Sequence, residues 1–141
     1  MKIGGGQSYP ANDSEKETWV QALSKGNEIS TGRAQTLFSR YGTRASAVSA
    51  YQSGRGEKIL KHLDGYTINE IKFLVEEEMV TRLDDLLLRR TKTAWVGLVA
   101  SESLKELADI VGSILGWTKT QKKQEIARCT ALLQNKHGVK L

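Results

Sequence analysis

The sequence predicts an all-α fold, a compact single domain of about six to eight helices behind an irregular, glycine-rich N-terminal lead-in. The chain has one proline in 141 residues. Its apolar residues recur at helical spacing, and no sustained alternation of apolar and polar residues indicates a strand. The predicted lead-in covers residues 1–12, with Gly4-Gly5-Gly6 and Pro10, and the predicted helical domain covers residues 13–141.

The N-terminal part of the chain carries start and stop signals for two helices and a shorter third. Polar side chains that can cap a helix precede each apolar stripe, and glycines follow the first two. The expected caps are Ser14 paired with Glu17, then Ser30 or Thr31, then Thr43; the expected stops are Gly26 and Gly42. The second helix has the clearest buried face, formed by Ala34, Leu37, Phe38 and Tyr41.

The C-terminal part repeats these signals. Thr67 and Glu70 have capping-box spacing ahead of a long central helix, whose expected buried residues are Ile68, Ile71, Leu74, Val75 and Met79. A short helix with Leu83, Leu86 and Leu87 should follow. Ser101 is expected to cap the next helix, Gly116 to end it in the left-handed conformation, and Trp117 to fold back onto its end. Thr118 with Gln121 should cap the last helix.

Charged residues lie beside apolar positions on the central helix and the short helix after it: Glu78, Arg82, Asp85, Arg89 and Arg90. Helical spacing places Glu78 on the core side, with Arg82 one turn further on as a partner. A charge beside a core must be paired. Either the five residues form an internal ion-pair network, or Arg89 or Arg90 reaches a carboxylate or carbonyl of a neighbouring domain. No nucleophile, histidine or metal-ligand set accompanies them, so catalysis is not expected.

Other residues whose side chains or backbone could form a binding or catalytic site are better explained as structural residues. Gly4-Gly5-Gly6 lacks the preceding strand and the following Lys-Ser/Thr of a phosphate loop, so we interpret it as a flexible junction. His62 and His137 have no zinc-site spacing and are expected to be solvated or capping residues. Cys129 should be a packed, unreactive thiol on the last helix, and a single cysteine favours a reducing compartment.

Charge and hydropathy limit the class of partner. No apolar stretch is long enough for a membrane span and no signal peptide is visible, so a soluble cytoplasmic domain is expected. The formal net charge is +5. The last segment is basic, with Lys119, Lys122, Lys123, Arg128, Lys136 and Lys140. Because no aromatic residues are interleaved with these cations as stacking platforms, the pattern does not favour nucleic-acid binding.

Several motifs in the same order resemble one known family. They are Gly4-Gly5-Gly6 with Tyr9-Pro10, Arg40-Tyr41-Gly42-Thr43, Glu70-Ile71, Glu76 to Met79, Asp84 to Thr91, and Leu115-Gly116-Trp117. The set resembles the C-terminal helical domain of FAD-dependent glycerol-3-phosphate dehydrogenases and the related α-glycerophosphate oxidases, from about Ile3 to the last helix. The segment Lys92 to Gly97 departs from the family pattern, in which a more acidic ending is expected.

The resemblance implies a parent flavoenzyme that oxidises sn-glycerol 3-phosphate to dihydroxyacetone phosphate and passes electrons through FAD to a quinone or to oxygen. No residue here matches the family's dinucleotide or substrate-phosphate motifs, so this chain is expected to hold no cofactor and to be inactive alone. Its implied partners are the upstream FAD and substrate domains, with a homodimer partner and a peripheral contact at the inner membrane face as further expectations. Arg89 and Arg90 are the candidate anchors between domains.

Two other functions remain as alternatives at this stage. A free-standing helical module that binds nucleic acid or an acidic membrane surface would account for the net charge and the basic last helix, and its binding would be sensitive to salt. An independent enzyme would require flavin uptake or turnover by this chain itself. The parent-enzyme hypothesis, in contrast, expects residues 1–12 to be the junction to an upstream catalytic region.

Overall fold

A computed structural model describes residues 6, 8–91, 93–94 and 97–139. Within these residues the chain forms helices and a single isolated antiparallel bridge pair, Ile59 with Thr67, so the predicted all-α fold is confirmed for the described part of the chain. The expectations for Gly4, Gly5, Lys92, Trp95, Val96 and Lys140 lie outside the described residues. The chain divides into two compact units, Met1–Gly56 and Glu57–Leu141.

The first unit contains helices α1 (Asp13–Gly26), α2 (Thr31–Tyr41) and α3 (Ala45–Gln52), and a 3₁₀ turn at Gly42–Arg44 leads directly into α3. As predicted, α1 ends at Gly26, and Ser30 caps α2 by accepting a hydrogen bond from the backbone N–H of Arg33. Gly42 follows α2 with a φ of 57°, a conformation that glycine adopts without a steric penalty.

The start of α1 corrects one prediction. Asn12, rather than Ser14, is the capping residue, because its Oδ1 accepts from the N–H of Glu15 at 2.9 Å while Glu15 Oε2 accepts from the N–H of Ala11 at 2.8 Å. The same capping chemistry therefore operates two residues earlier than the sequence suggested. The predicted cap at Thr43 is also replaced, since the 3₁₀ turn makes Arg44 the residue that precedes α3.

Apolar faces of these three helices form the core of the first unit. The buried apolar residues on them are Val20, Leu23, Ala34, Leu37, Phe38, Ala45 and Val48. Phe38 lies at an aromatic cluster, with its ring centroid 5.2 Å from that of Tyr9 and 4.8 Å from that of Trp19. Ring pairs at this spacing add to the stabilisation that burial alone provides.

The second unit contains α4 (Ile68–Glu77), α5 (Leu83–Asp85), α6 (Ser101–Leu115) and α7 (Lys119–His137), and α5 continues as one π-helical turn at Leu86–Arg90. The predicted capping box at the start of α4 is confirmed: Thr67 Oγ1 accepts from the N–H of Glu70, and Glu70 Oε2 accepts from the N–H of Thr67. Thr118 and Gln121 form the predicted box at the start of α7.

The end of α4 overturns the prediction that Met79 is buried. The helix stops at Glu77, and Met79 has a φ of 55°, which turns the chain and leaves its side chain 81% exposed. Val80 becomes the fully buried residue in its place. A left-handed conformation costs a residue with a side chain roughly 1–2 kcal/mol, so burial of Val80 must offset strain at Met79.

The π-helical turn after α5 is held closed by Thr91. The N–H of Thr91 donates to the carbonyl of Leu86 at 2.8 Å, and its hydroxyl reaches the same carbonyl at 2.9 Å and Thr93 Oγ1 at 2.8 Å. Both threonines are buried. Because π turns leave carbonyls without regular partners, these buried hydroxyls satisfy groups that would otherwise destabilise the turn.

A tight junction joins α6 to α7. Gly116 has a φ of 71° and ends α6 in the left-handed conformation as predicted, and the N–H of Trp117 bonds back to the carbonyl of Gly112 at 2.8 Å. A β-carbon at Gly112 would lie 3.2 Å from the Trp117 ring and 2.6 Å from Lys122 Cε. At the other end, Ser101 is the first helical residue rather than the cap, and the Ser103 hydroxyl bonds the backbone of Ala100 instead.

Candidate functional site

The five charged residues singled out from the sequence lie between the end of α4 and the π-helical turn, with Glu78 just after α4 and Arg82 just before α5, and they divide into two groups. Arg90 Nη1 donates to Glu78 Oε2 at 2.8 Å, and its Nε lies 3.8 Å from Asp85 Oδ2. Arg89 makes a longer contact, 3.6 Å from Nη1 to Asp85 Oδ1, and its side chain is 80% exposed. Arg90 therefore ties the end of α4 to the π-helical turn, whereas Arg89 extends into solvent.

Arg82 has a different partner from the one expected. Its Nη1 donates at 2.8 Å to Oε2 of Glu125, on α7, whereas the sequence suggested Glu78. The physical reason is the break after α4: the chain leaves the helical conformation at Glu78 and Met79, so the one-turn relation between Glu78 and Arg82 no longer holds. Helical spacing predicts neighbours only while the helix continues.

Glu125 is the central acceptor of the charged cluster in the second unit, a role that was not predicted from the sequence pattern. The residue is 4% exposed. Its Oε1 accepts from the backbone N–H of Leu83 at 3.0 Å and from Arg128 Nη2 at 2.7 Å, and its Oε2 accepts from Arg82 Nη1 and from Arg128 Nε at 2.9 Å. Leu83 is the first residue of α5, so a carboxylate from α7 takes the role of that helix's missing cap.

Charges around Glu125 compensate one another. Burial alone would raise the pKa of Glu125, but the hydrogen bonds from Arg128, Leu83 and Arg82 outweigh it and hold that pKa below its ordinary value. The bonds of Arg128 to Glu125, and then to Asp84, raise the pKa of Arg128. The Glu125 carboxylate and the Arg128 guanidinium group are consequently charged at neutral pH, and the cluster is an ion-paired structural element.

This pKa shift predicts how stability depends on pH. Because the pKa of Glu125 is depressed in the folded state, its contribution is fully present above the unfolded value, about 4.3, and is lost as pH falls through the folded value. The stability difference between the chain and its Glu125→Gln variant should therefore stay constant from neutral pH to about pH 4.3 and shrink below it. Urea denaturation at a series of pH values measures this, and a difference that widens in acid would contradict it.

A sequence signal for Glu125 existed. It lies four residues before Cys129 and eight before Leu133, so all three share one stripe of α7, and all three are buried. A carboxylate on a core-facing stripe requires partners, so this spacing predicts that Glu125 is buried and paired. What helical spacing does not reveal is the identity of those partners, which are 42 to 43 residues away along the chain for Leu83 and Arg82.

A cleft of about 610 Å³ opens beside this cluster in the second unit. Thr81 and Arg82 line it from the segment before α5, and Trp117 lines it from the junction before α7. The lining residues on α7 are Gln121, Gln124, Glu125 and Arg128. Arg82 is 61% exposed at its side chain and uses one nitrogen for Glu125. The cleft has the volume of a ligand site, but most of its lining side chains are polar or charged, whereas small-molecule pockets are mostly apolar.

The remaining candidates from the sequence are one cysteine and two histidines. Cys129 is buried, and burial followed by the charge of Asp84 raises the pKa of its thiol to about 12, so it is packed and unreactive as predicted. His62 and His137 are exposed. Among the described residues no group of histidine, cysteine, aspartate and glutamate side chains could hold a metal ion.

Fewer cations of the basic last helix are available to an external partner than its sequence suggests. Lys122 Nζ donates to Asp109 Oδ1 at 2.9 Å, and Arg128 is engaged by Glu125 and Asp84. Two of its cations therefore neutralise acidic residues of this same unit, which reduces the positive field available to an external polyanion. None of the described helices has the length and apolar character needed to cross a membrane.

Among the described residues the fold is all-helical, and its buried polar side chains include the Thr91 and Thr93 hydroxyls, the capping residue Glu70 and the ion-paired Glu125. Among known protein families, the model of the C-terminal domain of alpha-glycerophosphate oxidase matches residues 1–122 of this chain. The chain belongs to this family, and the resemblance recognised in its motifs is confirmed. The matched residues include α1 to α6, whereas Glu125 and Arg128 follow them.

Curated relatives agree with this assignment. A probable glycerol-3-phosphate dehydrogenase of Encephalitozoon cuniculi is 28% identical over 129 residues, which cover 92% of this chain and 19% of the relative. The mitochondrial glycerol-3-phosphate dehydrogenases of Rattus norvegicus and Mus musculus are each 28% identical over 114 residues, covering 76% of this chain and 16% of the relative. The chain thus spans less than a fifth of the length of the relatives it matches.

Proposed function

We propose that this chain is the accessory C-terminal domain of an FAD-dependent glycerol-3-phosphate dehydrogenase, and that it serves to pack against the flavin-carrying body of that enzyme. The parent would oxidise sn-glycerol 3-phosphate to dihydroxyacetone phosphate. The observation that carries the proposal is the family match over residues 1–122, supported by relatives that are named as glycerol-3-phosphate dehydrogenases and in which this region is a small part.

The described residues do not fit a flavin site of their own. A dinucleotide pyrophosphate is typically held by a glycine-rich turn between a strand and the N-terminus of a helix. The described residues form helices and one isolated bridge pair, and the glycines next to α-helices here follow helix ends, as Gly42, Gly116 and Gly138 do. We therefore derive no redox step through this chain and assign flavin chemistry to the parent body.

The two arginines that were predicted from the sequence to be anchors between domains, Arg89 and Arg90, differ in exposure and in contacts. Arg90 has 38% of its side chain exposed and is bound to Glu78 at 2.8 Å, so its main effect is expected within the unit. Arg89 is exposed, and within the described part of the chain it makes one long contact, 3.6 Å to Asp85. Its guanidinium group keeps donors available for a carboxylate or carbonyl of another domain. Arg89 is thus the better candidate anchor.

Substitution of each arginine in the full-length protein tests this role. Arg89→Ala should release flavin on dilution or mild heating at least about tenfold faster, because an interdomain charge-assisted contact would be lost. Arg90→Ala should instead lower the free energy of unfolding by about 1 kcal/mol, since its partly exposed pair with Glu78 is screened by water. Flavin absorbance and glycerol 3-phosphate-dependent dye reduction provide the measurements.

The matched control is Lys105→Ala, which removes an exposed cation from α6. It should leave flavin release unchanged. Flavin release from Arg89→Ala at the same rate as from the control would reject the anchor role of Arg89. A full-length protein that binds no flavin and reduces no dye with glycerol 3-phosphate would reject the proposed function itself.

A further inference from the structure

The cleft between the segment before α5 and the start of α7 is rich in hydrogen-bond donors that the fold does not use. Arg82 donates from Nη1 to Glu125, and its other guanidinium nitrogens make no hydrogen bond to a described residue. Gln121 uses its carbonyl oxygen in the capping box at Thr118, which leaves its amide N–H groups available. Both oxygens of Glu125 are already occupied by donors.

These assignments determine the chemistry of a suitable occupant. A cleft that offers guanidinium, amide and hydroxyl donors, with its own carboxylate already neutralised, complements an acceptor-rich group of negative charge. A carboxylate meets this description, and an arginine presents a geometry that carboxylates bind through two parallel bonds. The half-buried Trp117 adds an apolar surface on which the carbon atoms of the same segment can pack.

Met79, which lies close to this cleft along the chain, adds a second, independent observation. It precedes Thr81 by two residues, so the two α-carbons lie within about 7 Å of each other. Its backbone is in the left-handed region and its apolar side chain is 81% exposed. An exposed, flexible methionine beside polar donors is typical of surfaces that bind a partner.

We infer that this cleft, bordered by Met79 and lined by Arg82, Trp117 and Gln124, is the docking surface for an acidic segment of the flavin-carrying body. The inference rests on the proposed function, because it takes its partner from the parent enzyme. The relatives supply the reason for choosing that partner: the aligned region is 19% or less of their length, so most of each relative's chain lies outside it. Docking there leaves Arg89 free to act as an additional contact.

Gln124 is an uncharged position at which charge in the cleft can be changed while every residue of the ion pairs is kept. Its side chain is exposed, and no hydrogen bond of the described chain involves it. Gln124→Glu places a like charge opposite the proposed acidic segment, whereas Gln124→Lys places an opposite one. Gln134→Glu makes the same charge change at another exposed position of α7 and is the matched control.

Hydroxyl-radical footprinting of the full-length, flavin-loaded protein measures whether the surface is covered. Each oxidation rate is normalised to that of the free amino acid, and the exposed Ile59 serves as an internal reference. In the unmodified protein Met79 should be protected relative to Ile59. Gln124→Glu should raise Met79 oxidation about two- to fivefold, the range expected for one surface charge contact, while Gln124→Lys and Gln134→Glu preserve the protection.

The outcomes separate this inference from the proposed function. Met79 that is as reactive as Ile59 in a flavin-loaded, active protein would overturn the docking surface and leave the function standing. Protection that is identical in Gln124→Glu and Gln124→Lys would overturn recognition of an acidic segment. Protection that requires added inorganic phosphate would identify a small-anion site and overturn docking. A protein without flavin or activity would reject the function and, with it, this partner.

Discussion

Replacing Glu125 by glutamine is expected to lower the free energy of unfolding by about 2–3 kcal/mol, the low end for a buried carboxylate that loses charge-assisted bonds. Glutamine preserves the size of the side chain and one acceptor oxygen. Its amide nitrogen, however, would face the donors of Arg82, Arg128 or Leu83, which now bond a carboxylate. Because both arginines are partly exposed, water screens them and limits the loss.

Urea denaturation followed by circular dichroism measures this effect. Glu77→Gln is the matched control, since it makes the same chemical change at an exposed residue near the end of α4. The control should shift stability by less than about 0.5 kcal/mol. Equal destabilisation by the two variants would show that the cluster around Glu125 does not hold α5 against α7.

Replacing Leu87 by alanine is expected to lower the free energy of unfolding by about 2–5 kcal/mol, the range for removing a fully buried leucine and leaving a cavity. Leu87 is completely buried in the π-helical turn, next to the equally buried Leu86. The carbonyl of Leu87 also receives a long contact from the buried Thr91 hydroxyl, so the surrounding backbone is constrained and has little freedom to close the cavity.

Leu98→Ala provides the control for Leu87→Ala, because Leu98 is 50% exposed. It removes the same atoms and should cost well under 1 kcal/mol, since little of that side chain leaves water on folding. The two variants are compared by urea denaturation under one set of conditions. A loss at Leu98 as large as that at Leu87 would contradict the assignment of the π-helical turn to the core.

Local signals predicted most of the helices because each signal acts within about one turn of its own helix. The capping boxes at Thr67 and Thr118 and the left-handed Gly116 occur as expected, and the buried residues of α2 follow its apolar spacing. Predictions failed by one or two residues where two polar side chains competed for a cap, as Asn12 did with Ser14. Element boundaries depend on which side chain captures the free N–H groups.

The charged cluster was predicted less well than the helices. Sequence spacing identified Glu78, Asp85 and Arg90, whose contacts lie within 12 residues, but it assigned Arg82 to the wrong partner and omitted Glu125. The missing contacts join α5 to α7 across more than 40 residues. Helical periodicity reports which face of a helix is buried, but not which other helix covers that face.

By itself the sequence determined the helical class, most helix ends and the family, because propensity, capping and motif order are encoded in neighbouring residues. Tertiary structure alone decided that Met79 is exposed, that Glu125 is the acceptor that caps α5, and that Arg89 is more exposed than Arg90. These features arise when helices pack, since burial selects which charges must find partners and which remain available to another domain.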